Sequence, residues 1–380
     1  MSQEITPFTL SIGEDALDDL RRRLDAARWP ERETVDDWTQ GAPLAKERAL
    51  CEHWRNGYDW RRCEARLNQL GQFKTTLDGL DIHFLHVRSP HSDAMPLIVT
   101  HGWPGSVLEF MKVIEPLTDP TAHGGSASDA FHVIAPSLPG YGFSDKPTGT
   151  GWGVPRIAAA WIALMERLGY ARWVAQGGDW GAGVTTAIGV MRPAGCAAIH
   201  VNMPLVFPDA EDLKQPPTPA EQASLAAMAY YQDKDSGYSK QQGTRPQTLG
   251  YGLTDSPVGQ AAWIYEKMWA WTDNQGAPED ALTPDEMLDN IMLYWLPATG
   301  ASSARLYWES FASFASTKLE LPVGVSIYPK EIFRPSRRWA EKRMSNIIHW
   351  NELTKGGHFA AWEQPETYVD EIRTCFRKVR

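Results

Sequence analysis

The pattern of apolar and polar positions along the first 75 residues has the period of α-helices. Leu17, Leu20 and Leu24 fall at i, i+3 and i+7, on one face of a helix. The same period continues in two further runs, at about residues 44–56 and 60–70. This stretch contains no grouping of side chains of a catalytic type. We therefore predict a helical N-terminal arm, residues 1–75, that packs against the main domain.

From residue 73 onward, the apolar positions follow the period of β-strands. Two alternating runs flank Asp78-Gly79, a dipeptide that favours a tight hairpin turn. Eight strands are predicted, at residues 73–77, 80–87, 96–100, 131–136, 172–176, 196–201, 322–328 and 346–350. Helical patterns lie among them or follow them, at residues 154–168, 182–191 and 367–377. This alternation is typical of an α/β fold, here a mostly parallel eight-stranded sheet flanked by helices.

A stretch of different character interrupts this alternation after residue 204. Residues 205–300 are rich in Pro, Gln and Ala, with helical patterns and few strand patterns. An insertion of this length between two strands is most simply a helical cap, or lid, over the active face of the sheet. We therefore predict an α/β core of residues 76–204 and 301–380, a cap of residues 205–300 and the N-terminal arm.

Composition and charge exclude several classes of partner. Hydrophobic residues make up 43% of the 380 residues, which is ample for a sizeable core. The 17 tryptophans exceed what a core needs, so some are expected to line a pocket. A net charge of −10 argues against nucleic acid or an anionic membrane as partner. The four cysteines have no paired spacing, which predicts reduced, structural thiols.

Targeting and membrane-spanning patterns are also missing from the sequence. The first residues have neither the basic region nor the apolar region of a signal peptide. Nowhere do 18 apolar residues run together. We expect a protein without a membrane anchor, located in the cytoplasm.

One stretch between a predicted strand and a predicted helix has the layout of a nucleophile elbow, G-x-Nu-x-G. It reads Gly177-Gly178-Asp179-Trp180-Gly181. The glycines are needed because the turn is too sharp to admit a side chain on either side of the nucleophile. The alternative is that Asp179 only caps the following helix, which is a common role for Asp. The flanking glycines favour the nucleophile.

A carboxylate at this position changes the chemistry of the elbow. Aspartate is already ionised near neutral pH, whereas a serine nucleophile needs a base to remove its proton. Asp179 can therefore attack an electrophilic carbon directly and form an alkyl ester with the substrate. A histidine is then free to activate the water that hydrolyses this ester.

The best candidate for that histidine is His358, which follows two glycines after the last predicted strand. An α/β-hydrolase sheet places its general base in this loop, after the nucleophile and the acid in chain order. Glu331 comes soon after the strand predicted at residues 322–328. It suits the role of the acid whose carboxylate holds the other ring nitrogen of the histidine. A structural histidine and a surface glutamate are the alternatives, since Glu352 and Glu363 also lie near.

The stretch H-G-W-P-G follows the strand predicted at residues 96–100 and suits an oxyanion hole. The backbone N–H groups of Trp103 and Trp180 would point at the carboxyl oxygen of esterified Asp179. For His101, which begins the stretch, we favour a structural role in the turn.

Together, the motifs H-G-W-P-G-S, G-G-D-W-G and G-G-H-F, with a glutamate 27 positions before the histidine, resemble those of the microsomal-type epoxide hydrolases. The resemblance extends over the arm and the cap, and it implies the α/β-hydrolase fold. In that family two cap tyrosines hold and protonate the epoxide oxygen, and by motif these correspond to Tyr238 and Tyr307. Tyr251, Tyr265 and Tyr294 remain alternatives to Tyr238. Vertebrate members begin with a membrane anchor that is absent here.

The resemblance implies that water is added to an epoxide, through an ester on Asp179, to give a vicinal diol. It calls for no metal and no organic cofactor, and the partners are the epoxide substrate and water; it also allows a homodimer. A role in detoxification or in natural-product biosynthesis is expected. Bulky or aryl-bearing epoxides are favoured by the tryptophans close to the motifs, Trp103, Trp180, Trp308 and Trp362.

Two other functions compete with this interpretation. A haloalkane dehalogenase also resembles G-x-D-W-G and also uses an ester, but its leaving halide needs N–H donors and no acid. The H-G-W-P-G stretch and the tyrosine pair favour the epoxide. A catalytically silent hydrolase fold that binds a small ligand is the second alternative, and the set Asp179, His358 and Glu331 argues against it.

Overall fold

The N-terminal arm forms the three helices that its periodicity predicts. The computed structural model describes residues 4–310 and 318–380. The helices of the arm are α1 (Glu14–Asp25), α2 (Leu44–Asn56) and α3 (Trp60–Asn68). Leu17, Leu20 and Leu24 are buried along one face of α1, so the apolar stripe does mark the packed side of this helix.

The arm also contributes a strand that its sequence pattern does not reveal. Strand β1 (Ile5–Pro7) pairs antiparallel with β2 (Gln72–Leu77) at one edge of the sheet. Within the described residues the sheet therefore has nine strands, and the expected number of eight is wrong. Three residues are too few to display an alternating pattern, and Pro7 is tolerated because an edge strand can lack one N–H donor.

The sheet combines an antiparallel edge with a parallel centre. The remaining strands are β3 (Leu80–Val87), β4 (Met95–Thr100), β5 (Phe131–Pro136), β6 (Trp173–Gly177), β7 (Cys196–Val201), β8 (Val323–Ile327) and β9 (Ile347–Glu352). Their order is β1-β2-β3-β5-β4-β6-β7-β8-β9, and β4 to β9 are mutually parallel. Every residue of β6 and β8 is buried, as expected for central strands covered on both faces.

Helices cover both faces of the sheet. They are α4 (Ile114–Thr118), α5 (Val154–Arg167), α6 (Trp180–Met191), α13 (Arg337–Glu341), α14 (Ala360–Glu363) and α15 (Pro365–Phe376). Gly189 of α6 lies against Ile199, whereas Cys375 of α15 and the ring of His200 both lie beside Gly324. Ile199 and His200 are consecutive in β7 and face opposite sides, so α6 and α15 pack on opposite faces.

Between β7 and β8 the chain leaves the sheet and forms a helical insertion, defined here as residues 205–310. Its helices are α7 (Pro219–Tyr230), α8 (Gly237–Thr244), α9 (Pro246–Asp255), α10 (Pro257–Trp271), α11 (Pro284–Trp295) and α12 (Gly300–Ser310). A π-helical turn (Tyr231–Asp235) joins α7 to α8. The division of the chain into arm, core and cap at residues 75, 204 and 300 stays a prediction.

Helix α11 fastens the insertion to the arm through a buried carboxylate. Asp289 accepts a hydrogen bond of 2.7 Å from the hydroxyl of Tyr58 and bonds of 2.9 Å from the guanidinium of Arg62. The arm thus packs against the insertion as well as against the sheet.

The same helix fastens the insertion to the loop after β4. Asn290 and the Tyr294 hydroxyl donate hydrogen bonds of 2.7 Å to the carbonyl oxygens of Pro104 and Gly105, respectively. These bonds fix the insertion over the carboxyl end of β4, which is the end of the parallel sheet where α/β folds bind their ligands.

Candidate active site

Asp179 lies in the sharp turn between β6 and α6, in a conformation that non-glycine residues avoid. Its φ is 51° and its ψ is −127°. A Cβ added to Gly177 would lie 2.1 Å from the carbonyl oxygen of Gly181, and one added to Gly181 would lie 1.9 Å from that of Thr100. Both positions therefore require glycine, and the tight turn presents Asp179 at the carboxyl edge of the sheet.

The loop after β4 closes on the Asp179 carboxylate. The backbone N–H of Trp103 donates a hydrogen bond of 2.7 Å to Oδ1 of Asp179. A Cβ on Gly102 would lie 2.1 Å from the same oxygen, so only glycine allows this approach. Trp180 is the first residue of α6, where helix amides point outward and favour negative charge. Of the two predicted donors, the N–H of Trp103 therefore bonds to the Asp179 carboxylate, and that of Trp180 belongs to the first turn of the helix that follows Asp179.

His358 is brought to the carboxylate by the neighbouring strands β8 and β9. Glu331 comes shortly after β8 and His358 shortly after β9, and the carboxyl ends of parallel neighbours meet at one edge. Nδ1 of His358 lies 2.6 Å from Oε1 of Glu331, and Nε2 lies 3.4 Å from Oδ2 of Asp179. Asp179, Glu331 and His358 are far apart in the sequence, and the fold alone brings their side chains into contact.

The charges around His358 decide its protonation. Burial favours the neutral ring, but the carboxylates of Glu331 and Asp179 outweigh burial and raise the pKa of His358 well above its usual value. The resting site therefore favours an imidazolium held between two carboxylates.

The two other glutamates considered from the sequence have different partners. Glu363 accepts hydrogen bonds from the backbone N–H groups of Asp273, at 2.7 Å, and Phe359, at 3.1 Å. Glu352 is exposed and accepts a bond of 3.1 Å from the indole of Trp350. Neither has the contact with the histidine ring that Glu331 makes.

Tyr238 and Tyr307 come from two separate helices of the insertion, α8 and α12, and meet above the elbow. They are 6% and 3% exposed, and their ring centroids lie 5.7 Å apart. Tyr238 stacks on Trp103 at 4.9 Å, and Tyr307 meets the edge of Trp180 at 4.7 Å. Burial, with the nearby negative charge of Asp179, raises the pKa of both phenols well above 10. Both groups are therefore protonated at neutral pH.

The alternative tyrosines lie elsewhere. Tyr251 is 69% exposed, the hydroxyl of Tyr265 binds Glu279 at 2.5 Å, and the hydroxyl of Tyr294 binds Gly105. Tyr238 is thus the one of these four candidates that lies beside Tyr307.

A third tyrosine at the site was missed in the sequence. The hydroxyl of Tyr231, in the π-helical turn, lies 3.1 Å from that of Tyr238 and donates a bond of 3.3 Å to Ser239. Tyr231 is seven residues, about two helical turns, before Tyr238, and this spacing is the signal that could have found it.

A cavity of about 360 Å³ joins the carboxylate to the phenols. Its lining includes Asp179 from the core and Tyr231, Tyr238 and Tyr307 from the insertion. The rest is mainly apolar and comes from Trp180, Met203, Leu205, Phe207, Met228, Ile332 and Phe333. Of the four tryptophans close to the motifs, Trp180 belongs to this lining, whereas Trp308 is 52% exposed.

The described residues offer neither a metal-binding cluster nor a membrane-spanning helix. Within residues 4–310 and 318–380, no three His, Cys, Asp or Glu side chains are grouped so as to hold a metal ion. In the same ranges, no helix combines the length and the apolar character needed to cross a membrane.

Two family models match the sequence. The family described as "Epoxide hydrolase N terminus" matches residues 5–110, and the family described as "alpha/beta hydrolase fold" matches residues 95–242. The first covers the arm and the H-G-W-P-G loop, and the second covers the elbow and the first part of the insertion.

Individual proteins match over nearly the whole length. A protein of Stigmatella aurantiaca (strain DW4/3-1), provisionally named an epoxide hydrolase, is 62% identical over 99% of this chain and 86% of its own. Epoxide hydrolase 1 of Sus scrofa is 34% identical over 98% of this chain and 88% of its own. The crystal structure of juvenile hormone epoxide hydrolase from the silkworm Bombyx mori superposes with a TM-score of 0.91, at 29% identity, over 100% of this chain and 95% of that one. The chain therefore belongs to the epoxide hydrolase family, and it is an epoxide hydrolase with the α/β-hydrolase fold.

Proposed function

We propose that this enzyme opens epoxides through a covalent ester on Asp179, with Tyr238 and Tyr307 as the acids. The observation that carries the proposal is the single cavity that Asp179, Tyr238 and Tyr307 line together, with His358 directly behind the carboxylate. A carboxylate and two protonated phenols in one cavity suit an epoxide, which needs a nucleophile at carbon and an acid at oxygen.

In the first step, a carboxylate oxygen of Asp179 attacks one epoxide carbon. A C–O ester bond forms, the ring C–O bond breaks, and its electron pair goes to the epoxide oxygen. That oxygen takes the proton of Tyr238 or Tyr307, which becomes a phenolate. Without a donor the oxygen would leave as a strongly basic alkoxide, and general acids of this kind contribute roughly 10²–10⁴-fold to rate.

Ester formation changes the charge around His358. Because esterified Asp179 is neutral, one of the two carboxylates that raise the pKa of His358 is lost. The proton on Nε2 is therefore released more easily, and its transfer to the phenolate through water restores the phenol that protonated the epoxide oxygen. His358 is then the neutral base that the second step needs.

In the second step, His358 removes a proton from water and the hydroxide attacks the ester carbonyl. The negative charge that develops on the carbonyl oxygen is stabilised by the N–H groups of Trp103 and Trp180. The intermediate collapses by breaking the bond to the substrate oxygen, which takes the second proton of the attacking water and leaves as an alcohol. The products are a vicinal diol, the Asp179 carboxylate and protonated His358. Glu331 holds the ring in place through Nδ1.

The cavity supports bulky or aryl-bearing epoxides as substrates. Its apolar lining offers two phenylalanines, Phe207 and Phe333, whose rings lie 5.4 Å apart edge to face. An aryl group of the substrate would bury apolar surface here while the epoxide oxygen lies at the phenols. A detoxification or biosynthetic role, a cytoplasmic location and a homodimer stay predictions of the sequence.

The proposal is tested by trapping the ester. His358→Gln should still open the ring but fail to activate water, so intact-protein mass spectrometry after mixing with a styrene-type epoxide should show one added substrate mass. Peptide mapping should place it on Asp179. The matched control is the double variant Asp179→Asn with His358→Gln, which should gain no mass. An adduct on another residue, or no adduct in a folded His358→Gln enzyme, would refute the two-step mechanism.

A further inference from the structure

A buried lysine lies against one of the proposed acids, outside the set of groups that the mechanism above uses. Lys267 of α10 is 4% exposed, and an ammonium group is rarely buried to this extent unless it is paired. Its Nζ lies 2.5 Å from Oδ1 of Asp235 and 2.8 Å from a carboxylate oxygen of Glu266. The lysine is thus held in one place by two carboxyl groups.

The ammonium group of Lys267 lies over the faces of two aromatic rings. Nζ of Lys267 lies 4.8 Å from the ring centroid of Tyr238 and 5.5 Å from that of Trp271. Asp235 also accepts a bond of 2.7 Å from the indole N–H of Trp271. One cluster therefore fixes the lysine, the ring of Tyr238 and the indole beside it.

A cation at this distance acts differently on the two protonation states of a phenol. Over neutral tyrosine it makes an ordinary cation–π contact with the ring face. When the phenol gives up its proton, the negative charge of the phenolate spreads into the ring, and the same cation attracts it more strongly. Only an interaction that is stronger in the transition state than in the ground state raises the rate.

We propose that Lys267 is a positioning residue for ring opening, which stabilises the phenolate that Tyr238 becomes as it protonates the epoxide oxygen. The inference rests on the proposed acid role of Tyr238. No bond to Lys267 forms or breaks: the proton passes from Tyr238 to the epoxide oxygen, and the lysine remains an ammonium throughout.

Two carboxyl groups pair with Lys267 and hold its charge beside Tyr238. They do not cancel the attraction between the ammonium group and the phenolate. Asp235 lies next to the residues that begin α8, so its bond to Lys267 also ties the lysine to the helix that carries Tyr238. Burial raises the pKa of Glu266, and the charge of Lys267 opposes this shift. Lys267 is the positive end of its pair with Asp235, and this end lies over the ring of Tyr238.

The test isolates ring opening in the His358→Gln background, where the ester accumulates and its rate of formation is read by quenched mass spectrometry. Lys267→Met keeps the length of the side chain and removes its charge. It should slow ester formation about tenfold, which is the scale of a desolvated cation–π contact. Lys267→Arg, which keeps the charge, should restore most of the rate. The control is Lys342→Met, which removes the charge of a lysine that does not line the cavity and should not change the rate of ester formation.

A double-mutant comparison separates an effect through Tyr238 from general loss of structure. In a Tyr238→Phe background, Lys267→Met should cause no further slowing, because the phenolate that it stabilises can no longer form. Equal slowing in both backgrounds would overturn the inference while leaving Tyr238 as the acid. Ring opening at full rate by Tyr238→Phe alone would refute the acid role itself. If Lys267→Met folds poorly, Asp235→Asn with Lys267→Met removes both charges, keeps an acceptor for Trp271 and carries the same expectation.

Discussion

The proposed nucleophile and its histidine come from the α/β core, whereas the tyrosines that face them come from the helical insertion. Asp179, Glu331 and His358 each follow a parallel strand, so the sheet alone brings them together at its carboxyl edge. Tyr238 and Tyr307 are placed by the packing of α8 and α12 and by their contacts with Trp103 and Trp180.

This difference predicts how strongly a substitution in each region lowers turnover. In the proposed mechanism the core side supplies one nucleophile, Asp179, and one base, His358, and each has a distinct task. The insertion side has two phenols with the same chemistry and a third, Tyr231, bonded to one of them. We therefore expect substitutions in the core to abolish turnover and substitutions in the insertion to reduce it in steps.

The largest effect is expected for Asp179→Asn. A neutral amide of nearly the same shape is a poor nucleophile, and loss of a catalytic nucleophile costs roughly 10⁴–10⁶-fold in turnover. The fold should survive, because Asn tolerates a positive φ better than most residues do. Diol formation is measured by chiral chromatography, with circular dichroism as the check on folding. Normal turnover by protein whose mass excludes deamidation back to Asp would remove Asp179 from the mechanism.

The same division explains what the sequence could predict. The elbow and the H-G-W-P-G loop are local motifs, because backbone crowding around Asp179 demands glycine at fixed neighbouring positions. The G-G-H-F loop is a local motif too, since a Cβ on Gly357 would lie 2.4 Å from the carbonyl oxygen of Trp271. Strand and helix periods also gave nearly the observed limits, as for α2 and β7. Strand β1 was not predicted, because three residues are too few to show an alternating pattern.

The insertion side was harder to predict because its geometry depends on tertiary packing. Tyr238 and Tyr307 were assigned by resemblance to a family and not by any local rule. Tyr231 was missed because a π-helical turn orients it, and such turns have no reliable sequence pattern. Lys267 was missed since a lysine in a helical pattern is ordinarily exposed.

A smaller, stepwise loss is expected for the tyrosine pair. Tyr238→Phe and Tyr307→Phe should each slow ring opening while the other phenol still donates, and the double variant should lose roughly 10²–10⁴-fold, the scale of general-acid catalysis. In the His358→Gln background the double variant should gain little or no substrate mass. Tyr251→Phe is the matched control, since that ring is exposed and should not affect the rate. A double variant that opens the ring at the normal rate would assign the acid to another group.

The smallest effect is expected for Tyr231→Phe, and it tests whether the third tyrosine orients the second. The Tyr231 hydroxyl lies 3.1 Å from that of Tyr238, and the change removes this bond while the ring stays packed against Phe333 at 5.3 Å. One such hydrogen bond contributes about 1 kcal/mol, which corresponds to roughly a fivefold slower ring opening. The rate of ester formation should fall by that factor, whereas the thermal unfolding midpoint should change little. Because the Tyr231 hydroxyl bonds to Tyr238 and to Ser239 in the same helix, the same change should have no effect on ring opening when Tyr238 is already Phe but should keep its effect when Tyr307 is Phe. An effect that instead depends on Tyr307 would mean that Tyr231 serves the other acid, and the order of the three tyrosines along the cavity would have to be reassigned.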